Sequence, residues 1–169
     1  KASRTHQRDV CLPGFLRGLL ETYLPKDERI LDAGCAVGEV AHAMVRLGYR
    51  EVIGVDLSPE MIAAARDVAP GREPSPSFQV GDLAHLAFPD LHFGGAVALH
   101  AVTPIPTGTL REKALGELHR TLRAGSCLIL STFLREDPAF TTCWEEESTR
   151  WRTGRHDPRL HELGDRIDG

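Results

Sequence analysis

The chain has no apolar run approaching the roughly 20 residues needed to span a bilayer, no basic excess, no internal repeat and no closely spaced cysteine pair. Each absence removes a class of function. Without a long apolar run, no transmembrane helix is expected and no membrane partner. The net charge of −4 argues against a nucleic-acid partner, because proteins that grip the phosphate backbone carry a basic surface. Cys11, Cys35, Cys127 and Cys143 are far apart, which suits neither a zinc ribbon nor a disulfide framework. They read as reduced thiols, and with a polar first nine residues that lack a signal-like core they point to a cytoplasmic protein. What remains is an ordinary globular balance, 41% apolar and 26% charged over 169 residues, enough to bury one core.

Apolar spacing divides the first 134 residues into alternating elements. Phe15, Leu16, Leu19, Leu20, Tyr23 and Leu24 fall together at helical spacing over residues 12–24, and Pro25 stops that helix. A strand is expected at 29–33, then a helix carrying Val37, Val40, Ala41, Met44 and Val45 that Gly48 ends. A second strand follows at 51–56. Ser58 is a good N-cap and Pro59 suits the first helical position, with Met61, Ile62, Ala65 and Val68 as the apolar stripe. Residues 70–77 read as a loop, 78–80 as a short third strand and 94–99 as a fourth. A helix over 110–122, ended by Gly125, precedes a fifth strand at 127–133. Strands alternating with helices, and apolar along their length, predict an α/β fold: a Rossmann-like, doubly wound, mostly parallel sheet with helices on both faces. Ligands in such sheets bind beyond the carboxyl ends of the strands, where the strand order reverses.

The turn after the first strand reads Asp32-Ala33-Gly34-Cys35-Ala36-Val37-Gly38. Small residues there let the backbone bend sharply and approach a ligand, and the following helix N-terminus favours electron-rich groups. The dinucleotide pattern G-x-G-x-x-G fails twice from Gly34, at Ala36 and at Glu39. A diphosphate would also meet the Asp32 carboxylate, whereas an ammonium or sulfonium group would be welcomed by it. Asp56 closes the second strand, where a carboxylate accepts hydrogen bonds from both hydroxyls of a ribose; NAD enzymes use the same acid, so Asp56 alone does not choose the ligand.

Asp32-x-Gly34-x-Ala36-x-Gly38 resembles the first motif of the class I S-adenosylmethionine-dependent methyltransferases, with Ala36 at the usual second glycine. The similarity covers about residues 10–134 and is strongest to small-molecule enzymes of the ubiquinone and menaquinone type. It implies S-adenosylmethionine as cofactor, held by Asp32, Gly34, Cys35, Ala36, Gly38, Asp56, Leu57, Asp82, Leu83 and Leu99. In this family the segment matching Gly81-Asp82-Leu83 meets the adenine, the acid accepting from the exocyclic amine and the apolar neighbour packing on the ring. Phe93-Gly94-Gly95-Ala96-Val97 is similar to the fourth motif, with Gly94 where an acid is customary, and Ala124-Gly125-Ser126 stands for the commoner Pro-Gly-Gly. Leu99 and His100 are expected beside the transferred methyl group. His100 is the candidate catalytic base, with a cofactor-lining role as its alternative.

The expected activity is methyl transfer to a small-molecule acceptor by in-line displacement, driven mainly by positioning. A cofactor-binding module without turnover and a nicotinamide-dependent oxidoreductase are the competing readings. Residues 1–134 form the expected core. Residues 135–169, rich in Arg, Glu and Asp around Trp144 and Trp151, read as a charged lid or insertion, or as a truncated end of the same domain; a helix is expected within 137–152. The final hairpin strands of the family are not visible by Gly169. His156 and His161 read as surface residues rather than metal ligands, and no metal site is expected.

Overall fold

The computed structural model describes residues 12–68 and 74–132. The expected helix in 137–152, the charged segment 135–169, the final hairpin strands and part of the 70–77 loop lie outside those residues.

Four helices and five strands alternate except where β3 leads to β4 with no helix between: α1 Gly14–Tyr23, β1 Arg29–Ala33, α2 Glu39–Arg46, β2 Glu51–Asp56, α3 Pro59–Asp67, β3 Ser77–Val80, β4 Phe93–Leu99, α4 Gly108–Thr121 and β5 Leu122–Ser131. The strands form one sheet in the order β3-β2-β1-β4-β5, and every pairing is parallel. The reversal of strand order falls between β1 and β4. Because side chains alternate along a strand, successive residues feed two cores. Ile30, Val52 and Val97 join Leu16, Leu20, Met44 and Ile62 of α1, α2 and α3 on one face. Leu31, Val55, Ala96 and Ala98 join Leu83, Ala114 and Leu118 on the other, where α4 packs. The sheet is thus covered on both sides, as its apolar strands require.

Local chemistry explains most boundaries. The Ser58 hydroxyl accepts from the Met61 amide at 3.2 Å, capping α3, with Pro59 opening the helix. Thr107 caps α4 in the same way through Leu110 N–H. Gly48, at φ +93°, turns the chain after α2. Tyr49 is fully buried, and its hydroxyl donates to the Leu20 carbonyl at 2.6 Å, tying α1 to the turn before β2.

Three expectations change. On α1 only Leu16 and Leu20 are buried, continued by Leu24 just past its end; Phe15, Leu19 and Tyr23 form the adjacent row, one residue round the helix, and face outward. On α3, Ile62 and Ala65 are buried while Met61 and Val68 are exposed. Gly125 does not end α4. The helix stops at Thr121, and Leu122 is already extended and pairs with Phe93. The next pair is Gly95 with Cys127, so residues 123–126 loop out of β5, helped by the positive φ of Gly125.

That loop explains Gly94. A side chain there would run into Glu28, whose carboxylate pairs with Arg123 from the looped segment. An acid is therefore present beside the fourth strand, but it arrives from the chain entering β1. Among the described residues no helix is long and apolar enough to cross a membrane.

Candidate functional site

The carboxyl ends of β1, β2 and β3 bring three carboxylates to one rim of the sheet: Asp32, Asp56 and Asp82. Asp32 lies opposite Gly54 on one side and Val97 on the other, at the centre of the sheet. Only 3% of its surface is exposed. Its Oδ2 accepts from the Ala41 amide at 3.1 Å, in the first turn of α2, where a carboxylate suits the free N–H groups and the positive end of the helix. Burial pushes this carboxyl up to about 7; Asp56 nearby adds to the rise and the Ala41 N–H opposes it. A buried acid with this little hydrogen bonding is stabilised in its charged form by a cation.

The loop from Gly34 to Gly38 is wound by backbone bonds. Gly34 and Cys35 both donate to the Val55 carbonyl, at 2.8 and 3.0 Å, and Gly38 donates to the Cys35 carbonyl at 2.8 Å. Three of its residues are left-handed: Gly34 at φ +70°, Ala36 at +45° and Gly38 at +77°. A Cβ on Gly34 would strike Ala101, and one on Gly38 would lie 2.6 Å from the Phe78 ring, so both glycines are needed for space as well as for φ. Ala36 takes the same region with a methyl group, at a cost of roughly 1–2 kcal/mol. That methyl is exposed, and the Ala36 amide donates to Asp56 Oδ2 at 2.8 Å, which holds the strained residue in place.

Asp56 thus links loop and strand. Its Oδ1 accepts from Ser58 N–H at 3.0 Å, and each oxygen retains a second acceptor direction for a hydroxyl. Leu57 beside it is 70% exposed, an apolar surface at the rim. Cys35 is buried and its thiol is pushed up to about 12, by burial first and then by Asp32 and Asp56. It is an inert packing group, not a nucleophile.

Asp82 follows β3 in a tight turn, accepting from Ala84 N–H at 2.8 Å. That bond, then His85, holds its carboxyl below the usual range. Leu83 is turned into the core with Leu31, Val55 and Leu86. Leu99 is half-buried at the end of β4. His100, just beyond it, is exposed and left-handed at φ +55°; its amide reaches both the carbonyl and the hydroxyl of Ser131, each at 3.1 Å. Thr103 and Thr132 hydroxyls meet at 2.9 Å across the same rim.

The rim therefore gathers the expected site residues, with the loop and Asp56 in direct contact, but the Cys35 and Leu83 side chains are turned into the core. It adds residues the sequence did not single out. Ala101 seals Gly34, and Ser131 fixes His100. Phe78 supports the loop from below, packing on His42 with ring centroids 5.2 Å apart and lying against Gly38 and Gly54. His85 and Lys113 stand beside Asp82. None of these carries a motif; only Gly34, which Ala101 touches, and Gly38 and Gly54, which Phe78 touches, mark such close packing. Among the described residues no cluster of His, Cys, Asp or Glu is arranged to hold a metal ion.

This donor set suits the implied cofactor: buried Asp32 for cationic groups, Asp56 for vicinal hydroxyls, Asp82 for an amino-purine. Comparison with known proteins identifies the family. Residues 30–125 match the methyltransferase domain family. The chain is 28% identical over 107 residues to human eEF1A lysine and N-terminal methyltransferase, covering 63% of this chain and 15% of that protein. It is 35% identical over 107 residues to demethylmenaquinone methyltransferase of Thermus thermophilus, covering 63% of this chain and 47% of that one. A SAM-dependent methyltransferase structure from Methanosarcina mazei superposes with a TM-score of 0.71 at 26% identity, over 86% of this chain and 74% of that one. The chain spans less than half the length of these two curated relatives.

Proposed function

Since the chain belongs to the methyltransferase domain family, whose cofactor is S-adenosylmethionine, we propose that it transfers a methyl group to a small-molecule acceptor at the carboxyl ends of β4 and β5. The observation that carries this reading is the left-handed loop closed by the Ala36–Asp56 hydrogen bond over a buried Asp32. When bound, the cofactor supplies a methyl carbon on a sulfonium, already activated for displacement. What the protein adds is position and dryness. Asp32 and the loop would hold the cofactor's amino-acid end, Asp56 its ribose and Asp82 its base. Where the acceptor carries a proton, the His100 imidazole removes it, and Ser131 holds that residue's backbone at the strand end.

We favour a small molecule over a protein from the side chains at the carboxyl ends of β4 and β5. The described side chains there, His100, Ala101, Thr103, Ser131 and Thr132, include no carboxylate to receive a lysine ammonium. Both acceptor classes occur among the relatives' names, demethylmenaquinone in one and eEF1A lysine in another.

Calorimetry with S-adenosylmethionine and with NAD, followed by a methyl-transfer assay on phenols, amines, thiols and a lysine-rich protein, tests the proposal. Binding of the first ligand alone and turnover on a small acceptor are expected. Turnover only on the protein overturns the acceptor class, and tight binding with no turnover makes the domain a binding module. With a proton-bearing acceptor, His100→Gln is expected to lower kcat by ~10²-fold or more.

A further inference from the structure

We propose that His85 is a positioning residue of the adenine subsite, its ring set between Asp82 and Lys113 so that it orients the carboxylate that reads the exocyclic amine. The inference rests on the assignment of Asp82 to the base made above.

The hydrogen bonds run in one direction only. His85 Nδ1 lies 3.2 Å from Asp82 Oδ2, and His85 Nε2 is in contact with the Lys113 ammonium from α4. An ammonium donates and never accepts, so Nε2 is the acceptor and the ring proton sits on Nδ1, aimed at the carboxylate. Asp82 then has one oxygen on Ala84 N–H and the other on His85. Both rotations of the carboxylate are restrained. Its remaining acceptor directions are set, ready for a 6-amino group and opposed to a 6-oxo group.

An exposed Asp–His pair three residues apart is by itself a weak contact. Here a second element fixes it. Four residues beyond Lys113, Glu117 accepts from Leu86 N–H at 2.8 Å. One turn further, Arg120 donates to the carbonyls of Leu86 and Phe88 at 3.0 and 2.9 Å and to Asp90 at 2.7 Å. Successive turns of α4 therefore hold the segment after β3 along its length, and Lys113–His85–Asp82 is the branch that reaches the ligand side.

The test compares binding of S-adenosylhomocysteine with its inosine counterpart, in which a 6-oxo group replaces the amine, alongside the melting temperature of each variant. Asp82→Ala is expected to erase the preference for the amine. His85→Leu is expected to reduce it about fivefold, the worth of one hydrogen bond. His85→Asn, whose amide still donates to Asp82, is expected to recover most of it. If Asp82→Ala keeps the preference, Asp82 does not read the base and both assignments fall. If Asp82→Ala erases it while His85→Leu leaves it intact, the His85 proposal alone falls, as it does if the asparagine and leucine variants lose equally. A lowered melting temperature with an unchanged preference also overturns it, because His85 then serves stability only.

Discussion

Asp32 and Asp56 carry the same functional group and behave differently because of where each lies. Asp56 is half-exposed and accepts two backbone N–H groups, whereas Asp32 is buried with one. In the free protein the Asp32 carboxyl, raised to about 7 by burial, keeps a proton that the unfolded chain has released above about pH 4. The folded state then binds more protons, so this residue's contribution to stability falls as pH rises from about 4 to 7. A cationic ligand reverses the preference by favouring the carboxylate. Cofactor affinity is expected to rise from pH 6 to pH 8 with release of up to one proton, read by calorimetry in buffers of different ionisation enthalpy. Asp32→Asn is expected to flatten that slope, and a wild-type protein with no slope and no proton release would refute the role. Asp56→Ala, which removes the hydroxyl acceptor, is expected to weaken cofactor binding by about 1–3 kcal/mol; unchanged binding would take Asp56 out of the site.

Among the elements, β3 is the shortest strand and holds the residue on which the loop rests. The Phe78 ring fills the space that Gly38 and Gly54 leave open and packs on His42, itself bonded to the Ala65 carbonyl at 2.9 Å. Phe78→Ala is expected to cost about 3–5 kcal/mol in denaturant unfolding, the range for a buried aromatic. A loss below about 1 kcal/mol would mean that the loop collapses onto the vacancy. The sequence had signalled Phe78 only as the start of a weak strand. What it did signal clearly were the features with a local cause: the Ser58-Pro59 helix start, the apolar strands, the Gly34–Gly38 turn and the acids at strand ends. These depend on residues a few positions apart. The Phe78 support, the Ala101 seal, the Ser131 bond to His100 and the Lys113 contact with His85 join residues from different elements, and no periodicity records such meetings. Periodicity also overstated burial on α1 and α3, because a neighbouring row of apolar residues shares the spacing of the buried one.

For the whole molecule the telling departure is Gly94. Where the motif it resembles carries an acid, this chain has a glycine at the start of β4, and an acid from before β1 stands beside it: Glu28 occupies the space at Gly94, Arg123 pairs with it, and residues 123–126 leave the β5 register next to that pairing. Three segments far apart in sequence are therefore mutually dependent. Gly94→Asp alone is expected to destabilise the fold by about 1–3 kcal/mol, since the added side chain has no room and sets a second carboxylate against Glu28. Glu28→Ala alone opens space and leaves half-exposed Arg123 without its ion-pair partner but still bonded to the Leu91 carbonyl at 3.3 Å, a smaller loss. In the double variant the aspartate takes the vacated place and faces Arg123, so the combined loss is expected to be smaller than the sum of the two by about 1–2 kcal/mol. Urea unfolding of the four proteins measures that coupling. Strict additivity would mean that Glu28 merely lies over Gly94 and does not stand in for a carboxylate at that position.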